Sequence, residues 1–262
     1  MLAETGRVCQ VGFQALASPA LVRLRSQIAA GALGTVTGIG VRGAWFREEA
    51  YFRRAPWVGR RSVDGRPTLD GALVNPFAHA VMQTLAIADS PVRQASVERY
   101  RCRDMEVDDT ASVRLRFASS VTAVIAVSLC AEQFVPGDIT VTGTRGTAVL
   151  EYPTDRLRLP GEPAPKRLSG RVGLLDNLLD HRADPRVPLI APLSRTLPFS
   201  AMLAPILAAP AVLIPDEFLQ VYADLPTPRF VITGVNAAID RAAGELSLFS
   251  ELDLPWATPA SG

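Results

Sequence analysis

Lysine is almost missing from this chain: Lys166 is the only one, and arginine supplies every other positive side chain. Chemistry that depends on a lysine amine therefore has a single candidate. Cysteine is scarce too. Cys9, Cys102 and Cys130 are far apart, with no Cys-x-x-Cys pair, which argues against a disulfide framework or a zinc site and suits reduced, mostly buried thiols in a cytoplasmic protein. No apolar run reaches the roughly 18 residues a membrane span needs. The most apolar stretch, Leu197 to Ile214, is broken by Pro198, Pro205 and Pro210. The N-terminus shows no charged-then-apolar secretion signal. The formal charge is +1 and the basic residues form no tract, so neither a nucleic acid nor a membrane is an expected partner. Missing as well are a Gly-x-Gly-x-x-Gly turn opening a βαβ unit, a phosphate-binding P-loop and a Gly-x-Ser-x-Gly elbow.

What is present is the composition of a globular domain, 262 residues of which 48% are hydrophobic, enough for a sizeable core. Leu2 to Gly6 reads as the last turn of a helix and Arg7–Phe13 as a short buried strand. Ser18-Pro19 is a helix start, serine as N-cap and proline at the first helical position, and Gly31 closes that helix. Thr35–Phe46 alternates as a strand, weakened by Gly38, Gly40 and Gly43. Leu69–Ala88 carries a helical stripe. Then Val92–Arg101, Ala111–Ala118, Val121–Ser128, Asp138–Thr142 and Thr147–Tyr152 alternate in the β manner, with short turns that imply an antiparallel meander. Later helices are expected over Leu174–His181, Phe199–Ala208 and about Ile232–Leu246. The expected fold is α+β, a large, mostly antiparallel sheet with helices packed on one face. The alternating apolar residues of Ala111–Ala126 predict an open sheet face that needs a cover, hence a homo-oligomer.

The densest chemical signal runs from Trp45 to His79. It sets Trp45, Tyr51, Phe52 and Trp57 among six arginines and ends at one of only two histidines. Guanidinium groups in that number do not belong in a core, and a plain solvated loop has little use for the aromatics. Aromatic faces beside fork-shaped donors suit sugar hydroxyls or a carboxylate, and Arg47, Tyr51 and Trp57 are the best placed. His79, four residues after Asn75 on the same predicted helical face, is the candidate proton carrier. Asn75, uncharged, is a candidate for orienting the substrate or the ring. A lone helical histidine is more commonly satisfied in a core, and most of the arginines are expected to be solvated. Asp108-Asp109 reads as a turn cap or strand-end charge.

These features, in this order, resemble the Gfo/Idh/MocA family of NAD(P)-dependent oxidoreductases. QVGFQ (Gln10–Gln14) resembles the end of the family's Rossmann domain and its crossing to the second domain. AAGALGTV (Ala29–Val36) is similar to its helix-to-strand turn, and Asn75-Pro-Phe-Ala-His79 has the spacing of its Asp-x-x-x-His pair. VDDTASV (Val107–Val113) resembles a strand entry, ITVTGTRGTAVLE (Ile139–Glu151) a hairpin, and LFSELDLPWA (Leu248–Ala257) a C-terminus of some members. The resemblance implies a remnant Rossmann helix and strand over residues 1–16, and a substrate-binding and oligomerising domain over 17–262. It makes His79 the proton-relaying histidine at a sugar or polyol carbon, with Asn75 where many members carry aspartate. It also implies NAD or NADP as cofactor, which this chain is not expected to bind tightly alone, since the family's dinucleotide-binding glycines and Glu-Lys-Pro segment have no counterpart. A truncated oxidoreductase served by a separate Rossmann chain is one outcome; a non-catalytic sugar-binding or assembly module is the other.

Overall fold

A computed structural model describes residues 2–68, 70–223 and 227–257. After a short first helix, α1 (Leu2–Thr5), and a 3-10 turn over Gln14–Ala17, the chain forms α2 (Pro19–Ala29) and β1 (Val36–Phe46). Next come α3 (Glu49–Phe52), the small hairpin β2 (Ser62–Val63) and β3 (Arg66–Pro67), and α4 (Ala78–Ala88). The strand block follows: β4 (Val92–Arg101), β5 (Thr110–Phe117), β6 (Thr122–Ser128), β7 (Cys130–Gly143), β8 (Gly146–Glu151), β9 (Arg156–Arg158) and β10 (Lys166–Arg167). Then α5 (Leu174–Ala183), α6 (Leu193–Ala208), β11 (Ala211–Leu213), the hairpin β12 (Leu219–Tyr222) and β13 (Arg229–Ile232), and α7 (Val235–Glu245) complete the chain.

Nine strands join in one sheet, ordered β10-β9-β8-β7-β1-β6-β5-β4-β11. The fold class is the expected α+β, but the sheet is mixed rather than mostly antiparallel. β1 lies between β6 and β7 and runs parallel to β6, and β11 runs parallel to β4. Local alternation and turn chemistry specify the neighbours β4-β5-β6 and β7-β8; nothing local specifies that a strand from earlier in the chain slots between them. Arg7–Phe13 is not a strand either. Gln10 makes one isolated bridge to Pro192.

Helices cover both faces of the sheet. On one, Val41, Val113, Leu115 and Ile125 share a core with Leu21 and Leu24 of α2, Phe77 and Leu85 at α4, and Met202 of α6. The Ser18 hydroxyl accepts from the Leu21 N–H at the start of α2, the predicted cap. On the other, Val235, Ile239 and Ala242 of α7 pack on Val124 and Ala126, and Tyr100, Phe249 and Trp256 hold down the C-terminal segment. The glycines of β1 make room for this. A Cβ on Gly40 would stand 2.2 Å from the Ala243 carbonyl oxygen of α7, and one on Gly43 would stand 2.3 Å from Phe77. The apolar side chains of Ala111–Ala126 are therefore buried under the chain's own helices, α7 included, and do not form an open apolar face. Among the described residues no helix is long and apolar enough to cross a membrane.

Candidate functional site

Three of the residues singled out in sequence come together. The Arg47 guanidinium lies 5.0 Å from the Trp45 ring and 5.2 Å from the Tyr51 ring. On the other side, Arg54 sits 3.7 Å from Tyr51 and 5.1 Å from Trp57. Trp45, Arg47, Tyr51, Arg54 and Trp57 thus form a ladder of alternating aromatic and cationic planes, each guanidinium face resting on rings while part of its N–H edge stays free to donate. Sequence reasoning missed Arg54; its place three residues from both Tyr51 and Trp57 in sequence was the available signal. The single turn of α3 presents Tyr51. It is pinned by an isolated bridge between Glu48 and Arg229 and by the Glu49 N–H donating to the Pro228 carbonyl.

His79 and Asn75 do not share a helical face. The helix begins at Ala78 with Phe77 as N-cap, and Asn75 lies in the turn before it; Leu69, the expected start, lies outside the described residues. The Asn75 amide donates to Asp70 Oδ1 at 2.9 Å, while Asp70 Oδ2 accepts from the Gly59 N–H at 2.8 Å. Asn75 is therefore a brace between the turn and the loop that carries Trp57.

The His79 ring, half-buried at the start of α4, meets Phe13 edge-on at 5.7 Å, with Phe199 4.9 Å further on. Its Nδ1 is buried without a hydrogen-bond partner among the described residues. Burial, and then the nearby Arg171, lower its pKa from the ordinary 6.5, so the imidazole is neutral at neutral pH and able to take a proton. Arg171 is held by the Asp155 carboxylate at 2.7 Å. No hydrogen bond, ring contact or ion pair joins His79 to the ladder among the described residues. Phe77 does touch Trp45, at 4.4 Å, and two residues further round the helix His79 looks toward the N-terminal segment instead. The structure holds two groups where the sequence suggested one hollow.

Asp108 and Asp109 are more than caps. Asp108 pairs with the fully buried Arg99 at 2.7 Å and accepts from the Leu73 N–H, anchoring the turn that leads to α4. Asp109 pairs with Arg103 at 3.2 Å, and Arg103 reaches Glu49 of α3 and the Arg47 carbonyl. A cavity of about 720 Å³ lies beside α3, walled by Phe52, Arg53, Gly59, Arg103 and Phe230; neither His79 nor the ladder residues line it. Where a glycine leads from a strand into a helix, at Gly234 before α7, its N–H donates to the Glu132 carboxylate, leaving a negative charge where a phosphate would sit.

With this geometry in hand, residues 21–149 match the GFO/IDH/MocA C-terminal domain, and solved structures share the fold. The WlbA dehydrogenase from Bordetella pertussis, solved with NADH and UDP-GlcNAcA, is similar at TM-score 0.63 and 21% identity, over 78% of this chain and 62% of that one. An aldose-aldose oxidoreductase from Caulobacter crescentus, complexed with glycerol, gives TM-score 0.62 at 18% identity over the same shares, 78% and 62%. An inositol dehydrogenase homolog from Azotobacter vinelandii, complexed with NAD+, gives TM-score 0.62 at 14% identity, over 78% of this chain and 63% of that one. A search of curated proteins finds no match. The class is thus an α+β domain with the fold of these structures, matching about three-fifths of each of these longer chains. Residues 21–149, just under half of the chain, thus resemble the Gfo/Idh/MocA family.

Proposed function

We propose that this chain is the substrate-binding half of an oxidoreductase acting on a sugar or polyol carbon, with NAD or NADP held by a dinucleotide-binding domain outside these residues. The observation that carries the reading is the half-buried His79 ring, its pKa lowered by burial, with a buried Nδ1 that no group among the described residues satisfies. Such a base is suited to take the proton of a substrate hydroxyl. Arg47, Tyr51 and Trp57, with Trp45 and Arg54, are the substrate-binding wall in this reading, their guanidinium edges suited to hydroxyls or a carboxylate. Asn75 positions that wall and does not touch the reacting atoms. Exposed Val8, Val172, Leu175 and Leu179 flank the segment where Gln10 donates to the Leu174 carbonyl; they are the apolar strip on which the second domain rests. Homo-oligomerisation in the cytoplasm belongs to the same reading, although the sheet face first expected to carry it is covered by α7.

The test mixes the chain with a Rossmann-type partner and NAD(P), and assays sugars and polyols. Turnover that disappears in His79→Ala while sugar binding persists is the expected result; turnover unchanged in that variant rejects the assignment. A monodisperse monomer by light scattering removes the oligomer. One observation favours a second reading, a non-catalytic sugar-binding or assembly module: among the described residues no hydrogen bond, ring contact or ion pair joins the ladder to His79. Sugar binding that is lost in Arg47→Ala, with no turnover beside any partner, selects the module.

A further inference from the structure

Cys102 and Cys130 are 28 positions apart in sequence, yet their sulfurs stand 2.8 Å apart in the interior, closer than the roughly 3.5–4.0 Å at which non-bonded heavy atoms rest. The sheet brings this about. Thr110, the first residue of β5, pairs with both Tyr100 of β4 and Ser128 of β6. Each cysteine lies two residues beyond one of those partners, so the flanking chains close over the start of β5 and the side chains meet there. Asp109 fixes the junction: its Oδ2 accepts from the Cys102 N–H and faces the Cys102 thiol at 3.1 Å. Arg103 completes it, with Nη1 3.2 Å from Cys102 Sγ, 3.1 Å from Cys130 Sγ and 3.2 Å from Asp109 Oδ2.

We propose that Cys102 and Cys130 are a modification site, a dithiol that closes to an intrachain disulfide by exchange with a small-molecule disulfide. One cysteine sulfur attacks the small disulfide, breaks its S–S bond and expels one thiol; the second cysteine sulfur displaces the other half from the mixed disulfide. Two thiol hydrogens and two electrons leave the protein, and the small disulfide departs as two thiols. Access is through the cavity beside α3, since Cys102 forms part of its wall. Burial, with Cys130 and Asp109 adding to it, raises the Cys102 pKa, and the Arg103 guanidinium opposes that rise as the one counter-charge to the sulfur anion each step requires. Closure neither creates nor removes a buried charge, because Asp109 and Arg103 keep each other.

The same three donors, Cys102, Asp109 and Cys130, lie close enough together to suggest a cation, but Arg103 argues against one. A guanidinium has no lone pair to offer a metal, and its Nη1 already stands against all three donor atoms. Two thiolates on a tetrahedral zinc at 2.3 Å would also be about 3.8 Å apart, wider than they are here. In a reducing cytoplasm such a pair is open and closes only under oxidative load. Arg103 also holds the Glu49 carboxylate and the Arg47 carbonyl, so the bond would form directly behind α3.

The test uses the full chain carrying Cys9→Ser, which removes the half-exposed third thiol. The protein is incubated with oxidised glutathione in the native state and, in a second arm, refolded from denaturant in a glutathione redox mixture. The expected result is loss of both remaining thiols, a mass lower by two hydrogens with no glutathione attached, and a thermal midpoint higher by roughly 10 °C that dithiothreitol reverses. Cys102→Ala and Cys130→Ala should each keep the circular-dichroism spectrum and lose the shift. Two thiols persisting in both arms, a stable glutathione adduct, or a reduced chain purified with stoichiometric zinc that blocks oxidation would each overturn the proposal, the last in favour of a metal site.

Discussion

Two groups of arginines, a few residues from each other in space, use the same side chain in opposite ways. In the ladder, Arg47 and Arg54 rest on aromatic faces at the surface and have no carboxylate partner among the described residues. Behind it, Arg99 and Arg103 are buried, and each is tied to one of the adjacent Asp108 and Asp109. A surface guanidinium can be lost cheaply because water replaces what it gave. A buried one cannot be lost without stranding its partner. The first group can therefore be read as recognition and the second as scaffold.

The largest effect should come from breaking the buried pair. At Asp108, burial outweighs the attraction of Arg99 and pushes the carboxyl pKa up. The pair thus confines charge the fold already contains and adds little net stability. Asp108→Asn should cost about 3–5 kcal/mol by denaturant unfolding, because Arg99 is left buried and unpaired. The double replacement Arg99→Met with Asp108→Leu should recover most of that loss. A single variant within about 1 kcal/mol of the parent would mean Arg99 finds water or another acceptor, and the contrast between the groups would fail.

Arg103 comes next. Its guanidinium holds Asp109, Glu49 and the Arg47 carbonyl, and Asp109 keeps its bonds to the Cys102 N–H and the Thr110 hydroxyl without it. Arg103→Gln should therefore cost less than the Asp108 variant, about 2–3 kcal/mol. Because α3 loses its rear support, the variant should also weaken ligand binding at Tyr51, measured by titration calorimetry with sugar acids. A variant that loses stability with binding untouched would separate the scaffold from the ladder altogether.

The two groups also differ in how far the sequence discloses them. The ladder is visible as interleaved aromatics and arginines within one short stretch, and Arg47, Tyr51 and Trp57 could be picked from it. The buried group is assembled by the sheet. Asp108-Asp109 looks like a turn cap or strand-end charge, and nothing local marks Arg99 and Arg103 as its partners until β4 and β5 pair. The fold divides in the same way. β4, β5, β6 and β8 are legible to within a residue or two, because alternation and tight turns are local. The insertion of β1 beside β6 is not, because a parallel neighbour from another part of the chain leaves no local trace. Gly38, Gly40 and Gly43 looked like defects in β1; they are clearances for Leu246, for the α7 backbone and for Phe77. α6 was expected to begin after Pro198, yet it starts at Leu193 and passes through both Pro198 and Pro205, giving up the backbone bonds those residues cannot make.

A surface rung should matter far less to stability. Arg54→Ala should cost about 0.5–1 kcal/mol, the range for a cation–π contact at an exposed site, and should lower affinity for an acidic sugar more than for a neutral polyol. A loss beyond about 2 kcal/mol would move Arg54 into the scaffold. Arg47→Lys sharpens the distinction, because it keeps the charge and removes the plane. Weaker ligand binding in that variant would show that stacking geometry, and not charge alone, does the recognising.

His79 tests the contrast from outside either group, since it is a half-buried titratable side chain with no carboxylate on it among the described residues. An arginine in that position would have to stay charged; an imidazole can shed its proton, and its lowered pKa says that it does. The sign follows. The folded pKa lies below the ordinary 6.5, so as pH falls from about 6.5 the unfolded chain takes up the proton first and stability declines until the folded pKa is passed. Above that window both states are neutral and the residue contributes no slope. The difference between the parent and His79→Asn in unfolding free energy, followed from pH 8 to pH 5, should be flat at first and then turn against the parent on the acid side. Because it comes from one partly solvated group, it should be the smallest of these effects. Phe13→Ala should shrink it further by letting water reach the ring. A parent that gained stability on acidification relative to His79→Asn would mean the imidazole is held as a cation, and a proton acceptor could not be assigned there.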